Sequence, residues 1–120
     1  MVLQHLYSLG LVFMLTANPT PYCGRQMNGC FLYETKQIII NINTDNFRRT
    51  VYHEIGHALT YNDSEFAKLC KESKFWNNYR KLPGGIYELM ADMYMKYQTH
   101  IKYLDYHSPA IKNYISKNYL

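Results

Sequence analysis

Two hydrophobic periods divide the chain. Up to about residue 43 the apolar residues come in short runs closed by polar ones. Leu11-Val12-Phe13-Met14-Leu15-Thr16 reads as a first strand. Gln37-Ile38-Ile39-Ile40-Asn41-Ile42-Asn43, β-branched and polar at its ends, reads as a later strand, and the segment near 29–34 pairs with it as a hairpin. A short helical remnant near Leu3–Ser8 leads into the first strand, and the Pro-rich loop Asn18-Pro19-Thr20-Pro21 leaves it.

From residue 46 the apolar spacing changes to three and four. Phe47, Val51, Ile55, Ala58 and Leu59 form one stripe of a helix over about 46–60, with Thr44 or Asp45 as N-cap. Asn62 with Glu65 suggests a capping-box start for a helix at 64–76 whose Phe66, Leu69, Cys70 and Trp76 face inward. A further helix is predicted at about 86–99. Ser108 as N-cap and Pro109 at the first helical position open a last one, with Ile111, Tyr114, Ile115 and Tyr119 on one side. Strands first and helices after them predict an α+β fold.

The first long helix carries its chemistry opposite its apolar stripe. His53-Glu54-Ile55-Gly56-His57 places two imidazoles one helical turn apart, where they can share a Zn²⁺ ion, with Glu54 close enough to handle the proton of a metal-bound water. A catalytic zinc needs a third protein ligand and an open position. The longer pattern that ends in a third histidine is not met, because Thr60 stands at its glycine and Asp63 at its histidine. Asp63 remains a possible carboxylate ligand. The stronger candidate is Glu88, which shares a helical face with Asp92, Ala91 and Met95. Asp92 could then accept the outer N–H of a ligating histidine, fixing its tautomer.

Composition narrows the setting. One hundred and twenty residues, 48% of them hydrophobic, suit one domain spanning 1–120. The net charge of +4 comes from lysines spread along the chain, not from a basic stripe, so no nucleic-acid surface is expected. The apolar run Leu9–Leu15 is too short to span a bilayer, and no basic segment precedes it, so neither membrane insertion nor a signal peptide is expected. Cys23, Cys30 and Cys70 form no C-x-x-C pair. Cys23 and Cys30 could be bridged in an oxidising compartment, but the odd count favours free thiols and a cytoplasmic protein, with secretion as the alternative. Most of the thirteen tyrosines are expected at the edge of the core, some lining a groove.

The motifs resemble those of the gluzincins, zinc peptidases in which H-E-x-x-H is followed by E-x-x-A/S-D/E on a second helix, here His53–His57 and Glu88-Leu89-Met90-Ala91-Asp92. Within that group the chain looks most like the lethal-factor-type catalytic domains, including the small Pro-Pro endopeptidases. Leu11–Thr16, the hairpin Asn28–Ile40, His57-Ala58-Leu59 and Ser108-Pro109-Ala110-Ile111 extend the likeness. The resemblance implies a minimal zincin-like fold, one zinc on His53, His57 and Glu88, and peptide hydrolysis with Glu54 as general base. It also implies a tyrosine oxyanion donor upstream of the third ligand. Tyr79 is the nearest analogue and Tyr87 a rival, although ~100° of helical rotation would turn Tyr87 toward the core. A monomer is expected, with an extended peptide or protein substrate along an edge strand, 37–42 being the choice. Two other readings stand beside this one: a non-catalytic binding domain stabilised by zinc, and a regulatory enzyme similar to the repressor-cleaving phage metallopeptidases.

Overall fold

Three consecutive isoleucines mark the centre of the sheet. In the computed structural model, which describes residues 9–119, Ile38, Ile39 and Ile40 of strand β3 (Gln37–Asn41) are all 0% exposed. A continuous apolar run of this kind is what a strand covered on both faces requires. β1 (Val12–Thr16) pairs with β3 in parallel and β2 (Gly29–Leu32) pairs with it antiparallel, giving the order β1-β3-β2. The β2–β3 hairpin was legible from the sequence. The choice of 37–42 as an edge strand is corrected: β3 is central, and the free edges belong to β1 and β2. The remnant expected at Leu3–Ser8 lies outside the described residues.

The Pro-rich loop contains a short helix, α1 (Thr20–Cys23), with proline in its first turn. A Cys23–Cys30 disulfide ties its end to the start of β2, with the Cα atoms 5.9 Å apart. The expectation of free thiols at these two positions is therefore corrected; Cys70 stays free and buried in the core.

The long helices follow the three-and-four spacing, with local differences at their ends. Helix α2 (Phe47–Thr60) is preceded by Asn46, not Thr44 or Asp45, and no side chain caps it. Asp63 caps α3 (Ser64–Lys71) by accepting from the Phe66 N–H at 3.0 Å, in place of the expected Asn62. That helix stops well before Trp76. The Ser73 hydroxyl takes the Cys70 carbonyl at 2.7 Å, the kind of local bond that competes with helix continuation. Trp76 opens a separate turn, α4 (Trp76–Tyr79). After α5 (Gly85–Thr99) comes α6 (Ile101–His107), which no glycine or proline announces, and α7 (Pro109–Asn118) starts on Ser108 as expected. The α+β class expected from the sequence is what the structure shows. No helix among the described residues is long and apolar enough to cross a membrane.

Helix α5 is the hub. It packs against α2, α3, α4, α6 and α7 and buries Leu89, Met90, Met93 and Tyr94 completely. Each of the leucine and methionine side chains is worth about 1.5–3 kcal/mol of apolar transfer. Its closest neighbour is α2, and the reason is Gly56. A Cβ at that position would lie 2.8 Å from the Ala91 carbonyl oxygen and 2.9 Å from its Cα, so the two helices touch backbone to backbone. This corrects the simple stripe expected for α2. Phe47 is 43% exposed, whereas Glu54, Gly56 and His57 on the other side are buried.

Replacing a helical glycine by alanine ordinarily stabilises by about 0.5–1 kcal/mol. At Gly56 the sign should reverse, with a loss of about 1–3 kcal/mol from overpacking. Urea denaturation of Gly56→Ala measures it, and a midpoint at or above the wild-type value would refute the contact.

Candidate metal centre

The close approach of α2 and α5 brings four side chains together from two sequence segments. His53 and His57 project from successive turns of α2, their rings 4.7 Å apart and perpendicular. Glu88 lies in the first turn of α5 and Asp92 one turn later, on the same face. The Glu88 carboxylate bridges the imidazoles, with Oε2 3.1 Å from His53 Nε2 and Oε1 3.0 Å from His57 Nε2. On the far side of His53, Nδ1 donates to Asp92 Oδ1 at 2.7 Å. The other Asp92 oxygen accepts the Tyr79 hydroxyl. Donor atoms of His53, His57 and Glu88 all lie within 4.8 Å of one another, close enough to converge on one ion. Two imidazole nitrogens and one carboxylate oxygen are a donor set that suits Zn²⁺.

The charges are arranged as if a cation were expected. Burial works against a charge on His53, but hydrogen bonds to Asp92 and Glu88 overcome it, and its pKa is pushed up to about 10. The bonds from His53 and His57 hold the Glu88 carboxyl well below the usual carboxylate range. Burial raises Asp92, yet His53 and Tyr79 together bring it below its ordinary value. In the metal-free protein a proton on His53 thus offsets one of the two carboxylate charges beside it. His57 Nδ1 is buried and has no hydrogen-bond partner.

Glu54 is buried beside this cluster, and burial pushes its carboxyl above the usual range. It stands where two cavities meet. One, of about 510 Å³, is lined in part by Asn28, Gly29, Thr50, His53, Glu54 and Asp92. The other, of about 240 Å³, is lined in part by Tyr33, His53, Glu54, His57, Tyr87 and Glu88. Met27, Gly29, His53 and Glu54 belong to both, so the cavities form a cleft that runs past His53 and Glu54. Gly29 permits this closeness: a Cβ there would be 3.2 Å from Glu54 Cγ and 2.9 Å from the Ile39 carbonyl oxygen. The strand bordering the cleft is β2, which has a free edge.

Four residues expected at the site are found together: His53, His57, Glu88 and Asp92, with Glu54 beside them. Asp63 is elsewhere. Besides capping α3, it accepts the hydroxyls of Tyr114, at 2.8 Å, and Tyr119, tying α3 to α7. Tyr79 lies behind His53 with its hydroxyl committed to Asp92, which conflicts with the expected role of oxyanion donor. Tyr87, expected in the core, is 45% exposed and lines the cleft. Tyr33, which sequence reasoning passed over, faces the same cavity. Its ring is held edge-on by Phe31 and Tyr61, at 4.8 and 5.1 Å, and burial with the nearby Glu88 and Glu54 charges keeps its hydroxyl protonated. Its place in the turn of a hairpin that borders the histidines was the available signal.

Comparison with known proteins adds nothing to this geometry: no family model, no curated protein and no solved structure matches the chain.

Stability of the metal-free protein should peak between about pH 4.5 and 6.5. The contribution of His53 is complete below its ordinary value of 6.5 and is lost as pH rises toward about 10. Those of Glu88 and Asp92 are complete above 4.5 and 3.8 and are lost as pH falls through their depressed values. Melting in chelator across this range tests it; a Tm that stays level from pH 6.5 to 10 would contradict the His53 assignment. Asp63→Ala should cost roughly 1–2 kcal/mol by loss of the cap and the tyrosine bonds. It should leave metal content unchanged by elemental analysis, and a metal-depleted variant would return Asp63 to the ligand set.

Proposed function

We propose that the protein is a zinc-dependent endopeptidase, with one zinc per chain on His53, His57 and Glu88 and with Glu54 as general base. The observation that carries this reading is the convergence of three donor atoms within 4.8 Å beside a buried carboxylate, where two cavities meet. Bound zinc would lower the pKa of a coordinated water toward neutrality and polarise the scissile carbonyl. Glu54, raised by burial, takes the proton and returns it to the leaving amine. Asp92, with Tyr79 behind it, fixes the tautomer and orientation of His53. Tyr33 and Tyr87 bring tyrosine hydroxyls to the smaller cavity, and Tyr33, the more firmly held by its ring contacts, is assigned to the developing oxyanion.

An extended substrate lies along the free edge of β2, where backbone groups can add it as a further strand. The gluzincin-like motifs support the same reading, and nothing in the cleft specifies proline. A purely structural zinc would have no use for Glu54, whose burial beside the ligands carries a desolvation cost. The expectation of a cytoplasmic location rested on free thiols and on the lack of a clear signal peptide; a Cys23–Cys30 bridge removes the first ground and suits the secreted alternative.

Zinc-loaded protein should contain one equivalent of metal and cleave members of a mixed peptide library, and a chelator should abolish both. Glu54→Gln should keep the zinc and lose at least 10²-fold in kcat. Well under one equivalent of zinc at neutral pH would sink the metal assignment. A Glu54→Gln variant as active as wild type would sink the general base.

A further inference from the structure

The larger cavity beside His53 carries two positive charges that the hydrolytic machinery leaves unused. Arg25 and Arg49 both line it. Arg49 precedes His53 by four residues on α2, so it lies on the same face about 6 Å back along the helix axis. Arg25 comes from the loop that the Cys23–Cys30 disulfide closes against β2. Asn28, Asn46 and Thr50 add polar groups to that wall, and Met27 and Met95 apolar ones.

Neither guanidinium forms an ion pair with a described carboxylate. The ion pairs among the described residues belong to His53, His57 and Lys112. The neighbouring Arg48 shows the contrast. Its Nη2 donates to the Gln98 carbonyl at 3.2 Å and its guanidinium lies 5.5 Å from the centre of the Tyr52 ring. One arginine of the pair is thus spent on holding α2 to α5, and the other faces the cavity. The acidic groups that share the lining are committed elsewhere. Asp92 is bonded to His53 and Tyr79, and Glu54 is buried at the junction with the second cavity.

We propose that Arg25 and Arg49 form a carboxylate-recognition subsite, and that the substrate is a peptide with an anionic group near its scissile bond. This rests on the zinc-peptidase reading and gives it a substrate class. Guanidinium groups bind carboxylates through paired, charge-assisted hydrogen bonds. An extended peptide advances about 3.4 Å per residue, so the ~6 Å between Arg49 and His53 along the helix puts that anionic group one to three residues from the bond cleaved. Either an Asp or Glu side chain or a free C-terminal carboxylate would supply the same chemistry.

Cleavage profiling of a proteome-derived peptide library with the zinc-loaded protein reads the preference. Expected is enrichment of Asp or Glu at one fixed position, or of cuts near free C-termini. Resynthesis of the best peptide with Glu replaced by Gln, and separately with an amidated C-terminus, distinguishes the two sources. The neutral form of the correct group should be cut roughly 5- to 30-fold more slowly in kcat/KM, the range of a partly exposed charged hydrogen bond. In Arg49→Gln and Arg25→Gln that ratio should fall toward one. A profile with no acidic preference, or a preference that survives the double variant, overturns the subsite and leaves the peptidase reading standing. If zinc-loaded protein cuts nothing, the peptidase reading fails and the subsite is judged by binding alone. For this, pools of randomised decapeptides containing one Glu or one Gln are titrated into the zinc-loaded Glu54→Gln protein. Tighter binding of the Glu pool, lost in the double arginine variant, supports the subsite; equal binding overturns it.

Discussion

The contact between Gly56 and Ala91 is the constraint on which the site depends. Ligands on two helices can share an ion when the helices cross beside the ligating turns, and packed helix axes usually lie 8–10 Å apart at a distance set by the residues between them. At this crossing one partner has no side chain at all and the other has a methyl group. Gly56 lies between His53 and His57, and Ala91 between Glu88 and Asp92, so the point of closest approach is centred on the four polar residues. The sheet follows from the same arrangement. With α2 drawn onto α5, β2 can lie over the exposed side of the histidine face, and Gly29 keeps that strand close to Glu54.

Placing two carboxylates and two imidazoles at such a crossing is costly unless their charges balance. In the metal-free state a proton on His53, held between Glu88 and Asp92, offsets one of the two negative charges. A divalent cation on the proposed ligands would take the place of the proton on His53 Nε2, facing Glu88, while Asp92 keeps the proton on Nδ1. Metal uptake on the proposed reading is therefore coupled to proton release and to the stability of the α2–α5 pair. Asp92 is central to both states. It orients the outer nitrogen of His53, and its second oxygen is closed off by Tyr79.

Much of this was legible in the sequence, and the misses have physical causes. The pentad and Glu88-Leu89-Met90-Ala91-Asp92 are local patterns on helices, where spacing alone decides which residues share a face. Pairing between them needed only that both helices be packed. Strand order was not legible, because Val12–Thr16 and Gln37–Asn41 are similar apolar runs and only burial on both faces makes the latter central. Helix ends were misread where a single polar side chain chose its partner, as with Asp63 at Phe66 and Ser73 at Cys70. Tyr79 and Tyr87 exchanged expected surroundings for a related reason. A turn running from the Tyr79 carbonyl to the Leu82 N–H precedes α5 and folds Tyr79 back onto Asp92. Tyr87, one residue before Glu88, is left facing the cleft.

The two sides of the cleft differ in chemistry, and that difference follows from which elements form them. On one side the β2–β3 turn presents an aromatic group, Tyr33 packed against Phe31 and Tyr61, beside Tyr87 at the start of α5. On the other, the first turn of α2 and the disulfide-closed loop present arginines and amides. Glu54 and His53 sit at the boundary and belong to both. An extended peptide crossing that boundary would have apolar or aromatic contacts on one flank and an anionic contact on the other, with its backbone along β2. On the proposed reading, selectivity in such a cleft would come from the residues on either side of the bond, because the proposed ligands and Glu54 would act on the peptide group itself.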